Sequence, residues 1–267
     1  WQFRLLCVSL FAAFSASNFT SAANSPESAM SLDGTWQIIF DPDNEGRSKQ
    51  WQRPGVFAEH SHAQEISVPS CWETIREDYE GVAFYGRDFS VPEGWQGKTV
   101  RLQFDAVNYI AEVYLNNHVV GRHEGGYGPF EFRIDDLLKF GEPNFVSLRV
   151  IGPIVAQDKV IDGIAKNDMP HWRGAIAGGI WQSVRLVATG PAFVDDVFLE
   201  PRLADNTVTA HVTIQNAEYT SREVDVAVAI RSVGGTDSAV AEVETKMRLV
   251  PGANEKNWTL AIPEARY

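Results

Sequence analysis

The sequence predicts an all-β protein made of two β-sandwiches in series. Apolar residues recur with period two in run after run, and turn-forming clusters separate many of these runs at intervals of about ten residues. No window sustains the 3.6-residue period of a long amphipathic helix. Hydrophobic residues at 44% and charged residues at 22% match the ordinary globular mix, which excludes a wholly disordered chain. A length of 267 residues leaves room for one large domain or two ordinary ones.

The first alternation is Trp36, Ile38 and Phe40, broken by the turn-rich Asp41-Pro42-Asp43-Asn44-Glu45-Gly46. Val100, Leu102 and Phe104 mark a second strand, and Ala111, Val113 and Leu115 a third. The third ends at Asn116-Asn117, a pair that tolerates positive φ and so suits a hairpin turn before Val119-Val120-Gly121. Phe130, Phe132 and Ile134 come next, then one helical turn over 135–140 and strands over 145–151 and 181–187.

A break falls at Ala188-Thr189-Gly190-Pro191. Beyond it Val208, Ala210, Val212 and Ile214 alternate cleanly, as do Val224 to Ile230 and Val243 to Leu249. Each run offers one apolar face, as a two-sheet sandwich requires. Their spacing, without cysteines, suggests an immunoglobulin-like domain. Such a domain takes about 100 residues, more than the stretch from Pro191 to Tyr267 supplies, so it is expected to be incomplete here, with open strand edges.

Near the start, Arg4 precedes an apolar run from Leu5 to Phe14 and then small and polar residues up to Ser21-Ala22-Ala23. This is the pattern of a secretory leader, too short to span a bilayer; a buried strand or helix is the alternative. The expected organisation is therefore a leader over 1–23, a first sandwich over 24–189 and a second over 190–267. An exported protein, periplasmic or extracellular, follows. Cleavage after Ala23 would remove Cys7 and leave Cys71 without a disulfide partner in the chain. No later stretch approaches eighteen apolar residues, so no membrane span is expected. Lys plus Arg number 23 against 35 Asp plus Glu, and a net charge of -12 repels a phosphate backbone, which argues against a nucleic-acid partner. A homo-oligomer is compatible with this composition.

Several chemistries find no support. There is no G-x-x-x-x-G-K-[ST] phosphate loop and no G-x-S-x-G nucleophile elbow. His60-x-His62 reads as a solvated loop rather than a metal site. Asp41-x-Asp43-x-Glu45-Gly46 opens like a calcium loop but carries Gln52 where the twelfth position needs a bidentate Glu, so a charged turn is expected. Asp135-Asp136 and Asp195-Asp196 are adjacent and would point to opposite strand faces, which suits no carboxylate couple acting on one bond. No metal and no cofactor are expected. Arg87, set among aromatics, needs an acidic or carbonyl partner if buried, with Asp88 and Glu124 among the candidates. Trp36, Trp51, Trp95 and Trp181 read as core or rim residues.

Five strings carry a resemblance. They are Ser31-Leu32-Asp33-Gly34-Thr35-Trp36, Val68-Pro69-Ser70-Cys71-Trp72-Glu73, Phe84-Tyr85-Gly86-Arg87-Asp88-Phe89, Val120-Gly121-Arg122-His123-Glu124-Gly125-Gly126-Tyr127-Gly128-Pro129-Phe130, and Gly178-Gly179-Ile180-Trp181-Gln182-Ser183-Val184. In this order they resemble the N-terminal sugar-binding domain of the family 2 glycoside hydrolases, which include β-galactosidases, β-glucuronidases and β-mannosidases. The resemblance implies a jelly-roll (galactose-binding-like) first domain and an immunoglobulin-like second domain. It also implies a β-linked carbohydrate substrate and a third domain of the same polypeptide, a (β/α)₈ barrel whose two glutamates perform retaining hydrolysis. Nothing before Tyr267 supplies that barrel, so no residue of this chain is expected to be catalytic. Some family members lend a side chain from the first domain to the sugar pocket, and the matching stretch here is Lys166-Asn167-Asp168-Met169-Pro170-His171-Trp172-Arg173-Gly174. It implies that Asp168 accepts hydrogen bonds from sugar hydroxyls and that Trp172 offers its ring to the C–H side of the sugar. A polar loop with Trp172 packed on a neighbouring domain is the alternative. A free-standing carbohydrate-binding or adhesion protein is the competing role.

Overall fold

The computed structural model describes residues 7–11, 28–170, 177–231 and 239–262. The leader reading, apart from a strand over 7–11, lies outside those residues. In chain order the strands are β1 (Cys7–Phe11), β2 (Ser28–Ser31), β3 (Gly34–Asp41), β4 (Gln64–Val68), β5 (Val82–Ser90), β6 (Thr99–Phe104), β7 (Ile110–Leu115) and β8 (His118–Glu124). They continue with β9 (Phe130–Arg133), β10 (Pro143–Ile151), β11 (Val184–Thr189), β12 (Ala192–Arg202), β13 (Thr207–Asn216), β14 (Arg222–Arg231), β15 (Ala239–Leu249) and β16 (Gly252–Ala261). One five-residue helix, α1 (Pro54–Ala58), interrupts them, with proline in its first turn where the missing N–H costs nothing. The architecture is all-β, as expected.

Two compact units divide the chain. The described residues of Ser28–Ala188 form one, and those of Thr189–Tyr267 together with Cys7–Phe11 form the other. The first contains a six-stranded sheet in the order β4-β3-β5-β10-β7-β8 and a four-stranded sheet in the order β2-β11-β6-β9. Trp36, Ile38, Phe40, Val113, Leu115, Val146, Leu148 and Val150 of the larger sheet pack with Leu102, Phe104, Val184 and Leu186 of the smaller in one buried cluster. Burial of this kind is worth about 1.5–3 kcal/mol for each large side chain, an upper bound because unfolded chains are partly compact. The turn between β7 and β8 sits where the sequence places it, with Asn116 and Asn117 at φ 51° and 72°.

The six-stranded sheet is covered on its other face too. Ile39, Val82, Phe84, Ile110, Phe145 and Ile151 form a second cluster with Trp51 and Phe57 from one connection and Ile154, Ile161 and Met169 from another. Ile39 therefore interrupts nothing in the first alternation; it serves the opposite core. Strands buried on both faces lose their polar alternation, and β10 is buried from Asn144 through Ile151.

In the second unit, β12-β13-β16 and β1-β14-β15 are the two sheets. Ala210, Val212 and Ile214 of β13 and Val224, Val226 and Val228 of β14 share a cluster with Leu249, Trp258 and Leu260. The strand over 7–11 pairs antiparallel with β14, Cys7 opposite Ala229 and Phe11 opposite Asp225. A register shift between Val194 and Asp196 interrupts the pairing of β12 with β13 beside the Asp195-Asp196 pair.

Local expectations meet their partners. The helical turn after β9 is a 3₁₀ turn over Asp135–Leu137. Trp181 precedes its strand rather than opening it, since β11 begins at Val184. The Asp41 carboxylate, 1% exposed, accepts the N–H groups of Glu45 and Gly46 at 2.9 Å each, which makes the acidic run a self-capped turn. Arg87 is satisfied by carbonyls, not by Asp88 or Glu124. Its Nη1 donates to Leu32 O at 2.8 Å and Asp33 O at 3.1 Å. Trp36, Trp51 and Trp95 are buried.

Candidate functional site

The approach to β11 is shaped by sterics. A Cβ on Gly178 would fall within 3.0 Å of the Trp72 indole, and one on Gly179 within 3.0 Å of the Tyr85 hydroxyl, where φ is also +99°. Only glycine fits at either position. Trp72 is fully buried, and its main-chain N–H donates to Gly178 O at 3.0 Å; Ser70 N–H donates to Ile180 O at 3.0 Å. Asn108 and Gly179 exchange both backbone hydrogen bonds at 2.9 Å, and the Asn108 side-chain amide donates to Ala177 O. The Glu73 carboxylate accepts Gly178 N–H at 3.1 Å and 3.2 Å, one bond to each oxygen. Burial raises the Glu73 carboxyl above the usual range, opposed by the main-chain hydrogen bonds it accepts.

These contacts hold residues 177–180, beyond the stretch expected to reach a sugar. The described start of that stretch is held too. Met169 is buried among Ile151, Ile154 and Ile161 in the second cluster. Asp168 ends a turn begun at Ala165, with its N–H donating to Ala165 O at 3.2 Å and its Oδ2 accepting Ala165 N–H at 2.7 Å. Asn167 lets the turn close by taking φ 64°. Asp168 itself is exposed, with one carboxylate oxygen engaged by its own turn. Trp172 lies outside the described residues, along with the rest of 171–176.

Buried charges brace the connection over 152–169. Arg149, 0% exposed and two residues from the end of β10, stands opposite Glu112 of β7. It bonds Glu112 at 3.3 Å, Asp162 at 3.0 Å and Asn44 Oδ1 at 2.6 Å. Arg47 pairs with the same two carboxylates, at 3.0 Å to Asp162. Burial alone would raise the Asp162 carboxyl, but Arg149, the Asn44 amide and Arg47 hold it below the usual range. Glu80 is buried as well, and its carboxylate accepts three consecutive main-chain N–H groups from Val155, Ala156 and Gln157.

An exposed carboxylate at the edge of a hydrogen-bonded connection is able to accept hydroxyl hydrogen bonds. Among the described residues no group of three or more His, Cys, Asp or Glu is placed to hold a metal ion. Among them, too, no helix is long and apolar enough to cross a membrane. Glu73, Glu80, Asn108 and Arg149 were not legible as site-shaping residues. One signal did exist for Arg149, the lone charge inside the apolar run Phe145 to Ile151, since a buried charge must find partners.

Comparison with known proteins points to a family. The family model described as "Glycosyl hydrolases family 2, sugar binding domain" matches residues 29–190. A β-galactosidase of Thermoanaerobacter pseudethanolicus is 32% identical over 166 residues, covering 58% of this chain and 21% of that protein. A β-glucuronidase of Bacteroides fragilis is 31% identical over 144 residues, covering 51% and 19%. The β-glucuronidase of Canis lupus familiaris is 31% identical over 220 residues, covering 72% and 34%. The chain thus spans roughly a fifth to a third of these relatives' lengths. Among solved structures, a β-glucuronidase from glycoside hydrolase family 2 matches 93% of this chain and 28% of its own, at TM-score 0.70 and 20% identity. The β-glucuronidase of Ruminococcus gnavus in complex with D-glucuronic acid matches 93% and 42%, at TM-score 0.68 and 22% identity. At such identities these two report the fold.

Proposed function

The chain belongs to glycoside hydrolase family 2, and from that premise we propose that it is the non-catalytic front part of an exported glycosidase acting on β-galactosides, β-glucuronides or related β-glycosides. The observation that carries this reading is the match of the family's sugar-binding domain to residues 29–190, in a chain that spans only 19–34% of the glycosidases it resembles. On this reading the first unit is a jelly roll and the second an immunoglobulin-like sandwich. The leader-like start supports export.

Hydrolysis belongs to a barrel further along the same polypeptide. There one carboxylate attacks the anomeric carbon while a carboxylic acid gives its proton to the departing glycosidic oxygen. Water, deprotonated by that second residue, then displaces the enzyme with net retention. The two carboxyl groups must stand about 5–5.5 Å apart, and neither is assigned to this chain. The contribution of this chain is a wall of the sugar pocket. Asp168 accepts sugar hydroxyls and Trp172 offers an aromatic face, and the burial of Met169 beside Asp168 supports the placement of that carboxylate.

The test is kcat/KM of Asp168→Ala in the polypeptide extended through its barrel, on p-nitrophenyl β-D-galactoside and β-D-glucuronide. A drop of at least tenfold on the better substrate is expected, since a lost hydrogen bond to a bound hydroxyl costs at least about 1.4 kcal/mol. An unchanged value removes Asp168 from the site. A reading frame with no barrel would favour the free-standing carbohydrate-binding role.

A further inference from the structure

Glu80 offers more than structural filling. Its side chain is 1% exposed, and Oε1 accepts Val155 N–H at 3.1 Å and Ala156 N–H at 2.7 Å while Oε2 accepts Gln157 N–H at 2.8 Å. Successive N–H groups converging on one anion form a nest, a concavity of partial positive charge that a carboxylate fills well. The nest is wired to the turn that ends in Asp168 by two bonds. Asn167 N–H donates to Ile154 O at 2.8 Å, and Lys166 Nζ donates to Ala156 O at 3.0 Å. Ala156 is thus held through its N–H by Glu80 and through its carbonyl by Lys166. On the other side Gly152 N–H donates to Gly81 O at 2.9 Å, and Lys159 Nζ bonds Glu80 O, so residue 80 is tied to the connection by its main chain too.

From this geometry we propose that Glu80 is a positioning residue for the sugar contact at Asp168, its carboxylate occupying the Val155–Gln157 nest and fixing the turn that presents Asp168. This rests on the reading of Asp168 given under the proposed function. Glutamine in place of Glu80 keeps the shape but turns a donor group toward N–H groups, so the nest loses part of its acceptor and all of its charge.

Two measurements test it. In the 267-residue chain, Glu80→Gln is expected to speed tryptic cleavage after Lys159 and Lys166 at least tenfold. In Glu80→Ala, added formate is expected to slow that cleavage again while chloride at equal ionic strength does not. Wild-type cleavage rates in both variants, or no difference between formate and chloride, would overturn the nest assignment. In the barrel-bearing polypeptide, Glu80→Gln is expected to raise KM at least fivefold with kcat within twofold, and to change KM less than twofold when Asp168→Ala is already present. An equal effect in both backgrounds would show that Glu80 does not act through Asp168 and would overturn the proposal. If Asp168→Ala alone leaves KM unchanged, it is the reading of Asp168 that falls, and the proposed role of Glu80 toward it falls with it, whereas the cleavage experiment still decides the nest.

Discussion

The Trp72 indole lies so close to the Cα of Gly178 that no Cβ fits between them. A large ring, fully buried, and a residue with no side chain are thus two halves of one fit, separated by more than a hundred residues of sequence. Gly178→Ala must displace either the indole or the main chain. We expect a loss of about 3 kcal/mol in urea unfolding of the chain, the upper range for overpacking a core. Gly179→Ala adds positive-φ strain to its clash with Tyr85 and is expected to cost at least as much.

Arg149 neutralises two carboxylates inside the first unit. Arg149→Met removes the cation and leaves Glu112 and Asp162 facing each other with only the half-exposed Arg47 between them. The expected loss is about 3–5 kcal/mol, typical of breaking one partner out of a buried pair, read from the denaturant midpoint at constant slope.

The same cluster predicts acid sensitivity with a definite sign. Asp162 is held below its ordinary value in the folded chain, so the unfolded chain takes up its proton first as pH falls. The stabilisation is complete above the ordinary carboxylate value of about 3.9 and disappears as pH drops through the folded value. Asp162→Asn is expected to lower Tm at neutral pH and to flatten the fall of Tm on the acid side, measured by calorimetry across that range.

Glu73 has the opposite sign. Burial raises its carboxyl, so the folded chain holds the proton more tightly than the unfolded chain does. Its contribution to stability falls as pH rises from the ordinary glutamate value of about 4.3 through the folded value. Glu73→Gln keeps an oxygen for Gly178 N–H and removes the charge. It is expected to be at least as stable as the parent at pH 8 and to show less loss of Tm across the titration.

Much of the fold was legible because most strands show one face to water. Val100, Leu102 and Phe104 on β6 and Val208 to Ile214 on β13 alternate as the sandwiches require, and Asn116-Asn117 announced its turn. The second core was not legible, since Trp51, Phe57 and Met169 reach it from segments without any period. Arg87 shows the boundary. Its need for a partner could be read from the surrounding aromatics, but the identity of that partner, main-chain carbonyls more than fifty residues away, depends on register. Glu80 and Arg149 failed for the same reason, since Val155 lies 75 positions from Glu80 and Asn44 lies 105 from Arg149. Asp168 was singled out through the resemblance of its neighbourhood, while the nest around the Glu80 carboxylate is formed by main-chain groups, which leave no mark in side-chain pattern.

The central claim is that this chain shapes a sugar pocket and leaves bond cleavage to other residues of a longer polypeptide. The most direct test is the turnover of p-nitrophenyl β-D-galactoside and β-D-glucuronide by the purified 267-residue chain, set against the polypeptide extended through its barrel. The account predicts turnover by the extended protein and none above the uncatalysed rate by the chain alone. Turnover by the chain alone that scales with its concentration and survives repeated purification would contradict it.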